Sequence, residues 1–207
     1  MTVLDRIATT LGRRDEVPNQ MLTKELAENN DEEGVCTIAE HLWDKNTRIQ
    51  SDCLKVLYEL GRIKPELVAS YYRDFLKLLK HRNNRLVWGA MIALSTIAVI
   101  KADELFMEIG QIKSTMQQGS VITIDNGVKT LALIGSVNPD YRKEIFPYLL
   151  GHLNTCRPKD VPQHAEYTLV ALGPDNQAAF VNLLIERIPD LSPAGLARVK
   201  KIIKKLD

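Results

Sequence analysis

Large apolar residues recur along this chain in steps of three and four, the spacing of one face of an α-helix, and the groups themselves repeat. Ile49/Cys53/Leu57/Leu60 is followed by Leu86/Ala90/Leu94/Ile97, Thr123/Gly127/Leu131/Ile134 and Val161/Ala165/Leu169/Leu172. The small residues Gly61, Ala98 and Gly135 that follow the first three sets lie 37 residues apart, and Gly173 comes 38 later. Thr123 is the polar departure among the large positions, and Ile124 beside it is expected to take over the packing. A helical unit of this length buries its apolar face only against its neighbours, so the pattern predicts a stack of helix pairs with a long exposed surface.

Punctuation divides the units. Lys64-Pro65-Glu66, Lys101-Ala102-Asp103 and Asn138-Pro139-Asp140 recur every 37 residues. Proline suits the first helical turn, and an acid there meets the positive end of the helix dipole. The first helices of the pairs are therefore expected at about 65–81, 102–117 and 139–155. Their matched core positions are Tyr72/Ile109/Phe146, Phe75/Ile112/Leu149 and Leu79/Met116/Leu153. Second helices are expected at about 46–61, 84–99, 121–135 and 161–173, with 32–43 pairing with the first of these. End pairs fall at about 3–12 with 18–29, and 175–188 with 192–206. Gly110 and Pro147, at equivalent points inside two first helices, predict bends. Asn29-Asn30-Asp31 and Arg157-Pro158-Lys159-Asp160 read as turns.

The expected fold is all-α: an α-α superhelix, or solenoid, of five to six helix pairs with a period near 37 residues. Residues 1–207 read as a single domain, with 1–30 as N-terminal capping pair, 32–173 as core repeats and 175–207 as C-terminal capping pair. The period, the helix-start prolines Pro65 and Pro139, the bend residues Gly110 and Pro147, and the run from Leu86 to Leu94 resemble the HEAT-repeat family of the armadillo-type helical superfamily. The Val-Arg pair common early in that family's second helix is replaced here by Ile49-Gln50, Leu86-Val87 and Thr123-Ile124. The resemblance implies a curved right-handed stack whose second helices line the inner face. It also implies a non-catalytic role holding a protein or nucleic acid.

Composition adds little direction. Apolar residues make up 45% and charged residues 26%, with a net charge of +1, so no global field draws the chain to nucleic acid or membrane. Charge is uneven locally. Residues 14–44 hold nine acids and two bases. Arg73, Lys77, Lys80, His81, Arg82 and Arg85 form a basic stretch interrupted only by Asp74. It reads as a capped helix end or as a contact for phosphate or an acidic partner. Arg198, Lys200, Lys201, Lys204 and Lys205 read as a polar cap on the last helix. The start of the sequence lacks the long apolar segment of a signal peptide, and no run reaches membrane-spanning length; a cytoplasmic location without membrane contact is expected.

On the expected inner face, non-core positions form ladders: Ser51/Trp88/Asp125/Gln163, Asp52/Gly89/Asn126/His164 and Lys55/Ile92/Lys129/Tyr167, with Arg48 and Arg85 a turn earlier. Trp, Tyr and Arg dominate binding hot spots. Candidate binding residues are therefore Arg48, Lys55, Arg85, Trp88, Ile92, Asp125, Lys129, His164 and Tyr167, with a basic patch of Arg73, Lys77, Lys80 and Arg82. Asp52 and Asn126 are expected to bond nearby backbone. A protein partner is the leading expectation.

Nucleic acid is the alternative, through similarity to HEAT-like alkylbase DNA glycosylases. That class implies a Trp and an Asp one turn apart, and an Arg on the next repeat. Trp88 suits the first, but Ile92 and Lys129 occupy the other two places; Asp125 lies one repeat along from Trp88. His152, Cys156 and His164 form a possible metal set. No fourth ligand is apparent where structural zinc normally has four, so no metal is expected; without a phosphate-binding glycine loop, a nucleophile elbow or a metalloprotease motif, no cofactor or catalytic residue is expected either.

Overall fold

The computed structural model describes residues 2–206. These contain twelve α-helices and no strand: α1 (Val17–Asn29), α2 (Glu32–Glu40), α3 (Thr47–Ile63), α4 (Tyr72–Leu78), α5 (Asn84–Ile97), α6 (Ala102–Phe106), α7 (Ile109–Gln118), α8 (Val121–Val137), α9 (Pro139–Thr155), α10 (Val161–Thr168), α11 (Gln177–Arg187) and α12 (Pro193–Leu206). None is long and apolar enough to cross a membrane.

The chain packs as two compact units. One holds the residues up to Lys101 together with Glu108–Gly127; the other holds Ala102–Met107 and the residues from Val128 onward. In the first, α3 packs against α1, α2 and α5, and α4 against α5. In the second, α9 meets α10 and α11, and α12 closes over α10 and α11.

The repeating small positions Cys53, Ala90, Gly127 and Ala165 are all buried. Packing is close around Gly127 and around Gly61 at the end of α3: a Cβ on Gly127 would displace the Met116 side chain, and one on Gly61 would strike Thr96. Thr123 itself is buried, its hydroxyl 3.0 Å from that of Ser120, while Ile124 is only half-buried. The expected replacement by Ile124 is thus corrected. A hydroxyl that finds a local partner occupies a core position at little cost.

Helix starts are fixed by side-chain caps. The Asn46 amide oxygen accepts from the Arg48 N–H at 3.0 Å, Asn83 from Arg85 at 2.9 Å, and Asn138 from Asp140 at 2.8 Å. Ser120 accepts from the Thr123 N–H at 3.4 Å. Asn46, Asn83 and Ser120 recur every 37 residues, a cap ladder that satisfies helix-start donors at each repeat.

Several expected helices are shorter. The segment 3–12 forms only a 3₁₀ turn, Val3–Arg6. The Thr10 hydroxyl donates to the Leu4 and Ile7 carbonyls, and Gly12 has φ of 66°, so local side-chain bonds and a left-handed glycine end the helix early. Over 65–81 the chain makes two 3₁₀ turns, Pro65–Leu67 and Ala69–Tyr71, before the short α4. The expected bend near Gly110 is a break between α6 and α7, whereas α9 continues through Pro147. The turn at Asn29–Asp31 is carried by Asn30 in the left-handed region, φ 48°.

Candidate functional site

Three segments of the first unit converge on one groove of about 540 Å³. The first turns of α3 and α5 contribute Thr47, Arg48, Asn83 and Arg85, and the next turns of α3 contribute Ser51, Asp52 and Lys55. The loop before α1 contributes Arg13, Arg14, Asp15 and Glu16. The helix starts lie here because Asn46 and Asn83 cap them, which leaves the positive ends of two helix dipoles at the groove.

The groove is held together from beneath by Asp52. Its carboxylate accepts from the Thr9 N–H at 2.8 Å and from the Asn19 side chain at 2.9 Å. Asn19, only 2% exposed, passes the link on by accepting from the Ala8 N–H at 2.9 Å. The expected bond from Asp52 to backbone is therefore present, and it ties the N-terminal turn to α3.

The charges around the rim differ in their engagement. Arg13 is forked onto Asp15, with both N–O distances 2.9 Å. Lys55 pairs with Glu16 at 3.0 Å and Glu59 at 2.9 Å. Burial opposes the Lys55 charge, but these two carboxylates more than offset it and hold the ammonium pKa above its ordinary value. Arg14, Arg48 and Arg85 are exposed, and none of these guanidinium groups has an ion-pair partner among the described residues. Three unspent cations, each with five donors in a planar fork, face one polar concavity; the chemistry they suit is a carboxylate or phosphate.

Of the other expected binding residues in this unit, Trp88 is half-buried, its ring tilted at 56° to that of Tyr58 with centroids 6.4 Å apart. Ile92 is 7% exposed, which leaves little of it to touch a partner. Asp125 is half-exposed. In the second unit Lys129 and Tyr167 are half-exposed, and the Tyr167 hydroxyl accepts from Gln163 at 3.3 Å. His164 is 1% exposed and belongs to the interior.

The basic patch lies along α4 and the turn after it. The Arg73 guanidinium sits 5.4 Å from the centre of the Tyr72 ring, and Lys77 bridges Asp74 and the face of Trp43. Lys80 and Arg82 line a second groove of about 650 Å³ with Glu108, Gln111 and Gln118. Arg13 and Arg14 were outside the sequence expectation. They sit beside an acid-rich stretch, and only the fold removes those acids into pairs.

No protein-family model and no curated protein matches the chain. Solved structures do match it. One engineered protein solved by the Northeast Structural Genomics Consortium aligns with a TM-score of 0.68 at 17% identity, over 100% of this chain and 97% of its own. A second engineered protein from the same consortium gives 0.64 at 16%, over 100% and 99%. A designed armadillo repeat protein gives 0.64 at 12%, over 99% and 100%. At such identities the likeness is one of fold: the chain is an all-α helical-repeat solenoid.

Proposed function

We propose that this protein is a non-catalytic binding module of the cytoplasm that holds a protein partner on helices α3 and α5 of its first unit, with an acidic segment of that partner seated in the groove of Arg14, Arg48 and Arg85. The observation that carries this reading is the set of three guanidinium groups around one concavity that have no ion-pair partner among the described residues. Helical-repeat stacks present extended surfaces for such contacts, and half-buried Trp88 supplies an aromatic anchor on the same helix as Arg85. A phosphate backbone is the second chemistry these arginines suit. The glycosylase version of that reading lacks its carboxylate, since buried Ile92 stands where the acid belongs.

The test is fluorescence anisotropy with a labelled oligoglutamate peptide and, separately, a labelled DNA duplex. The reading expects peptide binding that the double substitution Arg48→Glu and Arg85→Glu abolishes while the helical circular-dichroism signal is unchanged. Binding of DNA alone, with a steep salt dependence, would transfer the site to nucleic acid. Binding of neither at low salt, or peptide binding indifferent to the substitutions, would sink the assignment of the groove.

A further inference from the structure

Helix α9 ends at Thr155 with Cys156 as its cap, and the Cys156 N–H donates to the His152 carbonyl at 2.8 Å. One helical turn therefore separates the imidazole of His152 from the thiol of Cys156. The turn Arg157–Asp160 then reverses the chain, closed by the Asp160 N–H on the Arg157 carbonyl at 2.8 Å. It delivers His164, in the first turns of α10, back against α9. The result is His152 Nε2 at 3.0 Å from His164 Nδ1, with one donor atom from each of His152, Cys156 and His164 all within 4.8 Å of one another.

We propose that His152, Cys156 and His164 form a three-ligand site for a zinc-class divalent ion, its fourth position open to water. In a tetrahedral zinc site, bond lengths of about 2.0–2.1 Å to nitrogen and about 2.3 Å to sulfur place nitrogens about 3.3 Å apart and sulfur about 3.6 Å from each nitrogen. The two ring nitrogens already stand at nearly that separation, and the thiol sulfur lies within 4.8 Å of a ring nitrogen of each. A fourth protein ligand marks structural sites; three with an open position is the other common arrangement. Thiolate with two imidazoles is a donor set that suits zinc over magnesium or calcium.

The surroundings are built to hold the ligands in place. Arg187, 7% exposed, donates to the Leu153 and Asn154 carbonyls at 2.6 Å each and to the Cys156 carbonyl at 2.9 Å, so the backbone carrying Cys156 is fixed. Its own charge is countered by Asp190 at 3.0 Å. His164 is almost fully buried while His152 is half-exposed, so an ion enters from the His152 side. Binding balances simply. The thiol loses its proton to solvent, and the proton shared between the two rings moves to a nitrogen that does not face the metal.

The chain, freed of metal by chelation, is titrated with Zn²⁺ against a chromophoric chelator, and with Co²⁺ as a spectroscopic reporter. One equivalent of Zn²⁺ is expected, together with thiolate-to-cobalt charge transfer and tetrahedral d–d absorption. Cys156→Ser and His152→Gln, both at positions with some exposure, are expected to lose at least the roughly 10–100-fold that removing even a supporting group costs a metal site. Their circular dichroism should not change. No stoichiometric Zn²⁺ uptake, or uptake and cobalt spectra that persist in Cys156→Ser, would overturn the site.

Discussion

Cys53 and Cys36 show how position rather than residue type sets chemistry. Cys53 occupies a small core position of the repeat and is fully buried; burial, reinforced by Asp52 and Asp44, pushes its thiol pKa up to about 12. The thiolate is the reactive form, so this sulfur is chemically silent in the native fold. Cys36 is exposed, and Cys156 is intermediate. A pulse of alkylating reagent followed by mass spectrometry should label Cys36 first, Cys156 more slowly and Cys53 only on unfolding. Early labelling of Cys53 would contradict its place in the core.

At the scale of an element, the C-terminus of α9 depends on a residue from α11. The last carbonyls of a helix lack internal partners, and Arg187 satisfies three backbone carbonyls around the end of α9 with one guanidinium. Arg187→Ala leaves these acceptors without that donor in a largely buried place. Since a hydrogen bond involving a charged group contributes about 1.5–3 kcal/mol, a loss of at least about 2 kcal/mol is expected in denaturant unfolding. A value below about 0.5 kcal/mol would show that water replaces the cap. The N-caps are local by contrast. Asn46, Asn83 and Ser120 each serve the helix that follows, which is why their spacing repeats in the sequence.

Ion pairs that join separate elements make the whole molecule sensitive to acid. In the first unit Arg6 pairs with Glu25, and in the second Arg198 is forked onto Glu166 at 2.9 and 2.7 Å. In each case hydrogen bonding to the arginine holds the carboxyl pKa below its ordinary value. A carboxylate with a lowered folded-state pKa adds stability at pH above its unfolded value. That contribution disappears as pH falls through the folded value, because the unfolded chain binds the proton first. The thermal midpoint should therefore drop as pH is taken below the ordinary carboxylate range, and the drop should shrink in Arg198→Gln. An unchanged acid slope would assign the loss to other groups. Both pairs are solvent-exposed, so added salt should weaken their contribution.

Periodicity, helix punctuation and the small core positions were legible in the sequence because they rest on local rules: side-chain spacing along a helix, caps, and the space one turn leaves for the next. The all-α helical-repeat fold follows from them. The breaks near residues 10, 70 and 108 were less legible, since competing 3₁₀ turns and hydroxyl bonds are decided over a few residues by small energies. The groove was half legible. Arg48, Lys55 and Arg85 stand in register with the repeat, whereas Arg13 and Arg14 lie outside it. Which arginine is left without a counter-ion depends on where Asp15, Glu16 and Asp52 find partners, a matter of through-space distance. The same reason separates His152 and Cys156, whose one-turn spacing is written in the sequence, from His164, which reaches them only because a four-residue turn folds α10 back onto α9.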